Sequence, residues 1–234
     1  MLNQAILLKV QQRLNKLASN DYDNIESWQI VEAFNKGQVD WSRRNLHGMN
    51  TMKEGDEQST SRIDDLQLLL HPFPLAMSQR PKWYESNPLP DDYMRWKRVS
   101  TSAISNCCPE PRSMVVYLTE EGNVDVLLRD KNKQPNFEWG ETFATVRDHK
   151  VIIYTNGEFD IVNPMLTYYR QPRKIEIEGV VDPYTGTTPT ADVECEFKDD
   201  LIELLVDEAV KILGGDIESF NQSTREGQSV ETNN

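Results

Sequence analysis

The side chains of this sequence that can do chemistry are scattered along it. His47, His71 and His149 each stand beside a turn or loop signal, where an imidazole is more simply an exposed or hydrogen-bonded loop group than a general base. Zinc needs clustered thiolates and imidazoles. Cys107 and Cys108 are adjacent, and neighbouring residues rarely ligate one ion well. Cys195 leads into a helix, a position that can lower a thiol pKa, but a packed and inert thiol is the simpler account. The carboxylate pairs Glu120-Glu121 and Asp199-Asp200 fall at a turn and at a helix start. At a helix start negative charge complements the dipole and needs no catalytic explanation.

Phosphate-binding and hydrolytic signatures are missing: no Walker-type loop, GxGxxG, HExxH or GxSxG occurs. The stretch VVDPYTGTTPT, 180–190, has some likeness to the phosphorylated aspartate loop of ion pumps. Its spacing is one residue too long and the lysine is lacking, so Pro183, Gly186 and Pro189 make it a turn-rich loop. The expectation is therefore no catalytic residue, no metal, no cofactor and no enzyme. An enzyme of unrecognised type would need the acidic pairs to converge in a pocket.

Two stretches mix aromatic and basic residues. WSRRNLH sets Arg43 and Arg44 beside Trp41, and residues 80–98 place Arg80, Lys82, Arg95, Lys97 and Arg98 among Trp83, Tyr84, Tyr93 and Trp96. Such mixtures bind single-stranded nucleic acid by stacking and charge, or they form core and protein interface. The formal charge of −13 and pI near 4.7 favour the second use, since most of the surface repels phosphate. Three cysteines make no disulfide framework and fit a reducing cytoplasm. No apolar run is long enough to span a membrane, and the first residues do not form a signal peptide.

The elements that position these residues follow from periodicity. Ile6, Leu7, Val10, Leu14 and Leu17 mark a first helix. Asp23 and Glu26 resemble a capping pair that opens a second helix, which carries Ile25, Trp28, Val31, Phe34 and Trp41. Residues 47–61 read as a loop and SRIDDLQLLL as a short helix. Five prolines between 72 and 90 read as an extended connection, with a short helix opening at Asp91 or Asp92. From 113 the pattern is β: two strands around a turn at 120–123, two more in FATVRDHKVIIYTNGEFDIV, and further candidates in MLTYYRQP and KIEIEGVV. Asn156-Gly157 is the strongest hairpin signal.

The last helix, 194–218, raises a question of cover. Phe197, Leu201, Leu204, Leu205, Ala209, Ile212 and Leu213 lie on one side, and Ile202, Val206, Val210 and Ile217 extend the apolar arc over roughly two-thirds of the circumference. Gly214-Gly215 reads as its stop. The expected organisation is 1–71 N-terminal helices, 72–112 connection, 113–193 β-rich module, 194–218 helix returning onto the first helices, and 219–234 a polar arm. The fold class expected is α+β: a helical bundle with an inserted antiparallel β-rich module. A second subunit is expected to cover what remains of the last helix. An acidic end meeting the locally basic middle of a neighbour would generate a ring.

SNDYDNIESWQIVEAFNKGQVDWSRR, KEGDEQSTSRIDDLQLLL and CEFKDDLIELLVDEAVKILGGDIESFNQ resemble the head-to-tail connector proteins of tailed bacteriophages, most of all the portal-proximal ring or adaptor proteins of crAss-like phages. The resemblance spans nearly the whole chain and rests on layout rather than a catalytic signature. It implies a structural virion protein of the neck, assembled in the bacterial host cytoplasm as a homododecamer. The ring would dock on the portal protein, meet adjacent ring or tail proteins, touch no membrane, and let double-stranded DNA pass without specific binding. Contact candidates are Trp28, Trp41, Arg43, Arg44, Trp96 and Arg98, with Ile202, Val206 and Val210 on the wide arc; Phe220, Asn221 and Arg225 would lie on a portal-docking arm. The alternative is a single-stranded nucleic-acid-binding module using the patch 80–98.

Overall fold

The computed structural model describes residues 1–17, 25–47, 65–106 and 108–217. Most of 47–61, the Asp23 cap, Cys107 and the arm bearing Phe220, Asn221 and Arg225 lie outside them. The chain forms two compact units, Met1–Leu68 with Pro172–Asn234, and Leu69–Gln171. Among the described residues no helix is long and apolar enough to cross a membrane.

The dominant element is an eight-stranded sheet, so the expected helical bundle with an inserted β module is corrected to a mixed α/β structure. The strands are β1 (Leu70–Pro74), β2 (Met77–Gln79), β3 (Trp83–Pro88), β4 (Tyr93–Ser105), β5 (Cys108–Leu118), β6 (Glu141–Arg147), β7 (Lys150–Tyr154) and β8 (Asp160–Arg170). Their spatial order is β1-β8-β4-β5-β6-β7-β3-β2; β5 and β6 run parallel and the other neighbours antiparallel. The two edge strands, β1 and β2, are consecutive in the chain and joined by Leu75 and Ala76 alone. That short link forces the sheet to curl into a half-barrel. Alternation fills its inside: Val99, Val116, Ala144, Val151, Ile153, Leu166 and Tyr168 form one core with Leu75 and Leu89.

Several expectations fail here for identifiable reasons. Residues 72–112 are not a connection with a helix at Asp91 or Asp92; they form β1–β4 and the start of β5. The prolines had argued against strands, but on β1 they sit where strands tolerate them. Arg170 donates its N–H to the Leu69 carbonyl and Leu75 donates to Pro164, so the N positions of 70, 72 and 74 face away from β8. Pro72 and Pro74 thus remove donors from the open edge of the sheet. Pro72 and Pro74 thereby blunt the β1 edge against strand addition. Pro109 and Pro111 lie where the β4–β5 register slips. Replacing Pro72 and Pro74 together by valine restores two outward donors. The expected result is self-association that grows with concentration in light scattering; unchanged scattering would refute the edge role.

The second half of SMVVYLTEEGNVDVLLRD is helix, not strand: a 3-10 turn at Glu121–Asn123 runs into α3 (Val124–Arg129). Its Val124, Leu127 and Leu128 cover Phe143, Ile152 and Tyr154 on the outside of β6 and β7. Asn156-Gly157 has the positive φ expected of it, but the strands it joins do not pair with each other. The two-residue hairpin is Asp148-His149, both with φ above 50° or equal to it, between the paired residues Arg147 and Lys150. KIEIEGVV contributes a single bridge, Glu176 with Val193, and no strand.

Tyr84 is buried in the sheet unit and donates its hydroxyl to Asp160 Oδ1 at 2.7 Å. Burial first, then Asp160, pushes that hydroxyl up to about 12. Tyr168 is raised as well, by burial and its bond to Asp92. Folded tyrosines that hold their protons above the unfolded value of about 10 confer stability that is complete below that value. It is lost as pH rises through the folded value. Denaturant titration is therefore expected to show the sheet unit weakening between about pH 10 and about pH 12. Tyr84→Phe should make the decline shallower, and an equal decline in both proteins would contradict the assignment.

In the helical unit, α1 (Asn3–Leu17), α2 (Ser27–His47) and α4 (Asp199–Ile217) pack together, with α4 against both others. α4 begins at Asp199 rather than 194 and continues through Gly214-Gly215, the pair expected to stop it. α2 likewise runs on through Gly37, which sits buried against the Glu208 side chain. Two asparagines tie in the irregular segment 172–198. Asn3 Nδ2 donates to the carbonyls of Glu176 (2.8 Å) and Val193 (2.9 Å). Asn35 takes the place of a strand neighbour, accepting from the Ile175 N–H at 2.8 Å and donating to its carbonyl at 3.2 Å.

Candidate protein-docking surface

Among the described residues the reactive side chains remain apart. Among the described residues no three His, Cys, Asp or Glu groups gather to hold a metal. His71 packs edge-on against Tyr168, and His149 sits in the β6–β7 turn. Cys195 is half-buried and donates to Gln38 Oε1 at 3.4 Å; burial pushes its thiol up, opposite to the lowering a helix start can give. Glu121 pairs with Arg147 at 2.9 Å. A cleft of about 330 Å³ in the sheet unit is lined by Gln79, Arg80, Pro81, Thr155, Gly157, Phe159 and Asp160. Its one carboxylate, Asp160, is taken up by the Tyr84 hydroxyl and the Gln79 amide.

The aromatic residues of the patch 80–98 are turned to packing. Tyr84 is 7% exposed, Tyr93 and Trp96 lean on the half-barrel core, and Trp83 packs beside Val124. Stacking of single-stranded bases needs open ring faces. The basic groups stay outside: Lys97 and Arg98 are exposed, and Lys97 Nζ lies 5.8 Å over the Tyr169 ring.

The contact residues proposed on the last helix are already covered. Ile202 and Val206 are 0% exposed and Val210 is 6%, enclosed within the chain. The helix packs against both α1 and α2, where Ile6, Val10, Leu14, Ile30 and Phe34 are all buried. Only Leu204, 60% exposed, is left open on the described part of the helix. The acidic side of α4 is also partnered inside the unit: Glu203 with Lys9 and Arg13, Asp207 with Arg13 at 2.5 Å, and Glu208 with Arg44 at 2.7 Å. These three are not available to meet a neighbour's basic middle. Trp41 packs edge-on against Phe197, 5.4 Å between centroids, and Arg43 is exposed.

Charge nevertheless divides sharply between the units. The sheet unit holds 12 Lys and Arg against 13 Asp and Glu, and the helical unit 13 against 25. Within the helical unit, residues 175–196 carry six carboxylates and no lysine or arginine.

Leu2, Leu8, Val126 and Trp139 are among the exposed large apolar residues, and two further places each gather more than one. The first is the outer face of the sheet. α3 covers it over β6 and β7, while Met165 on β8, Ser100 on β4 and Val115 and Tyr117 on β5 stay exposed. Register places Met165, Ser100 and Val115 in one row and Thr167 with Arg98 in the next, followed on β5 by Tyr117. Met165 is 41% exposed, Val115 52% and Tyr117 54%. The signal for this face is legible in SMVVYL: a strand apolar at both odd and even positions has two faces to cover.

The second is the loop 180–190. Val181 is 51% and Tyr184 73% exposed, yet the loop is tightly tied. Asp182 Oδ1 accepts from the Tyr184 N–H and Oδ2 from the Thr185 hydroxyl, both at 2.9 Å; its carbonyl accepts from the Gly186 N–H at 2.8 Å. The Tyr184 amide first, then Thr185, holds the Asp182 carboxyl below its usual range. Behind Tyr184 stands Trp28, edge-on at 6.1 Å between centroids. Of the expected contact residues, Trp28 and Arg98 are thus the ones that adjoin an exposed apolar place.

Neither a family model nor a curated protein matches the sequence.

Proposed function

We propose that this chain is a structural protein that assembles into a ring and serves as a head-to-tail connector in the neck of a tailed bacteriophage. The observation that carries the reading is the outer sheet face over β8, β4 and β5, which exposes Val115, Tyr117 and Met165 beside Arg98. Contiguous exposed apolar surface with a polar rim is the mark of a protein interaction site. The proline-blunted β1 edge directs that interaction to the face rather than to strand pairing.

A connector of this kind needs no active site. It would dock on the portal protein and hand the DNA channel to an adjacent ring or tail protein. The acidic helical unit suits the channel wall, because phosphate contacts supply most non-specific DNA affinity and carboxylates withhold them. Assembly would take place in the bacterial host cytoplasm and the product would reside in the virion.

Native mass spectrometry of the full chain, alone and mixed with a candidate portal protein, tests the proposal. A species of many 27.0 kDa copies is expected in at least the mixed sample. A 27.0 kDa monomer in both would overturn it.

A further inference from the structure

Tyr184 is the most exposed of the large hydrophobic side chains among the described residues, and it is fixed rather than loose. Pro183 restricts the backbone before it, Asp182 gathers the turn around it, and Trp28 supports its ring. An exposed aromatic already held in one place gives up little conformational entropy on docking. Buried tyrosine and arginine anchors carry most of the affinity at interface centres. The charged groups of 175–196 are Glu176, Glu178, Asp182, Asp192, Glu194 and Glu196, so the segment that bears the knob is acidic, with Lys174 near Asp182 as a basic group at its margin.

The exposed sheet face has the opposite character. Arg95, Lys97 and Arg98 run along β4, and the acid on that face, Glu141, lies 3.4 Å from the Tyr117 hydroxyl. Arg98 is exposed and forms no ion pair among the described residues. A basic, half-apolar face and an acidic, aromatic-tipped knob are complementary in both charge and apolar content. Two different patches on one chain make a heterologous contact, and repetition of such a contact yields a ring when the rotation closes.

We therefore infer that the Val181–Tyr184 knob of one copy docks on the β8-β4-β5 face of the next, with Tyr184 against Val115 and Met165 and the knob's carboxylates facing Arg98. This inference rests on the ring reading and specifies which surfaces build it.

The experiment places the photo-crosslinker p-benzoylphenylalanine at position 184 of the full chain. Labelled and unlabelled copies are mixed, with or without portal protein, and crosslinked peptides are read by mass spectrometry. Crosslinks between copies to residues of β4, β5 or β8 are expected. Tyr184→Ala should raise the concentration needed for assembly about tenfold or more while leaving circular dichroism unchanged. Arg98→Glu should do the same, and Glu178→Lys with Asp192→Lys added to Arg98→Glu should recover assembly. Oligomers whose position-184 crosslinks land elsewhere, or within the same copy, would overturn the docking and leave the ring standing. Absence of any oligomer in either sample would overturn both.

Discussion

Ile202→Ala will cost the helical unit about 2–4 kcal/mol of stability, and the loss will not depend on protein concentration. Ile202 is 0% exposed on α4, which packs against both α1 and α2. Removing its three outer carbons leaves a cavity that packed neighbours close only in part. The concentration test is what gives the prediction force. A residue buried between subunits would lose assembly first and destabilise the separated chain little. A residue buried within one chain destabilises the monomer itself. Denaturant titration at two concentrations far apart distinguishes them. A variant as stable as the parent when dilute, yet impaired in assembly, would return Ile202 to an interface.

Tyr168→Ala will cost the sheet unit about 3–5 kcal/mol. Tyr168 is 1% exposed inside the half-barrel, its ring near Tyr93 and His71, its hydroxyl donating to Asp92 Oδ1 at 2.7 Å. Tyr168→Phe separates the two contributions. It keeps the ring and loses about 1–2 kcal/mol by depriving the half-buried Asp92 carboxylate of a donor. The pair of variants also tests whether the half-barrel is a filled core or a binding pocket. If the alanine variant lost less than about 1 kcal/mol, the interior would be loosely packed and a ligand site there would deserve a search.

How much of this was legible in the sequence depends on the length and regularity of each element. α1, α2 and α4 could be read because their apolar periodicity lasts four turns or more. The excess width of the α4 arc was also real, but Ile202, Val206 and Val210, expected to need a second subunit for part of their cover, are buried within the chain. Ile175, Ile177 and Phe197, buried in the same unit, come from a segment without regular secondary structure, which has no period to read. Residues 72–90 were misread because proline marks both connections and open strand edges, and only the partner strand tells them apart. α3 is six residues long, and VDVLLR alternates well enough to pass for a strand. At the turns, Asn156-Gly157 fulfilled its backbone preference without pairing the strands beside it. The hairpin itself was made by Asp148-His149, a weaker local signal.

The candidate surface shows the same limits. Trp28 and Arg98 were singled out for their types, and each adjoins an exposed apolar place. The turn-rich character of 180–190 was readable from its prolines and glycine, whereas the support of Tyr184 by Trp28 is a tertiary contact that no local pattern encodes. Its sequence context offers Arg44 to a neighbouring subunit, whereas the fold gives it Glu208 in its own chain.

Electron microscopy of the assembled full chain, alone and with portal protein, tests the central claim most directly. Closed rings with an open centre wide enough for a DNA duplex, about 20 Å or more, are the predicted result. Particles of single-chain size in both samples, or open chains that never close, would contradict the connector account.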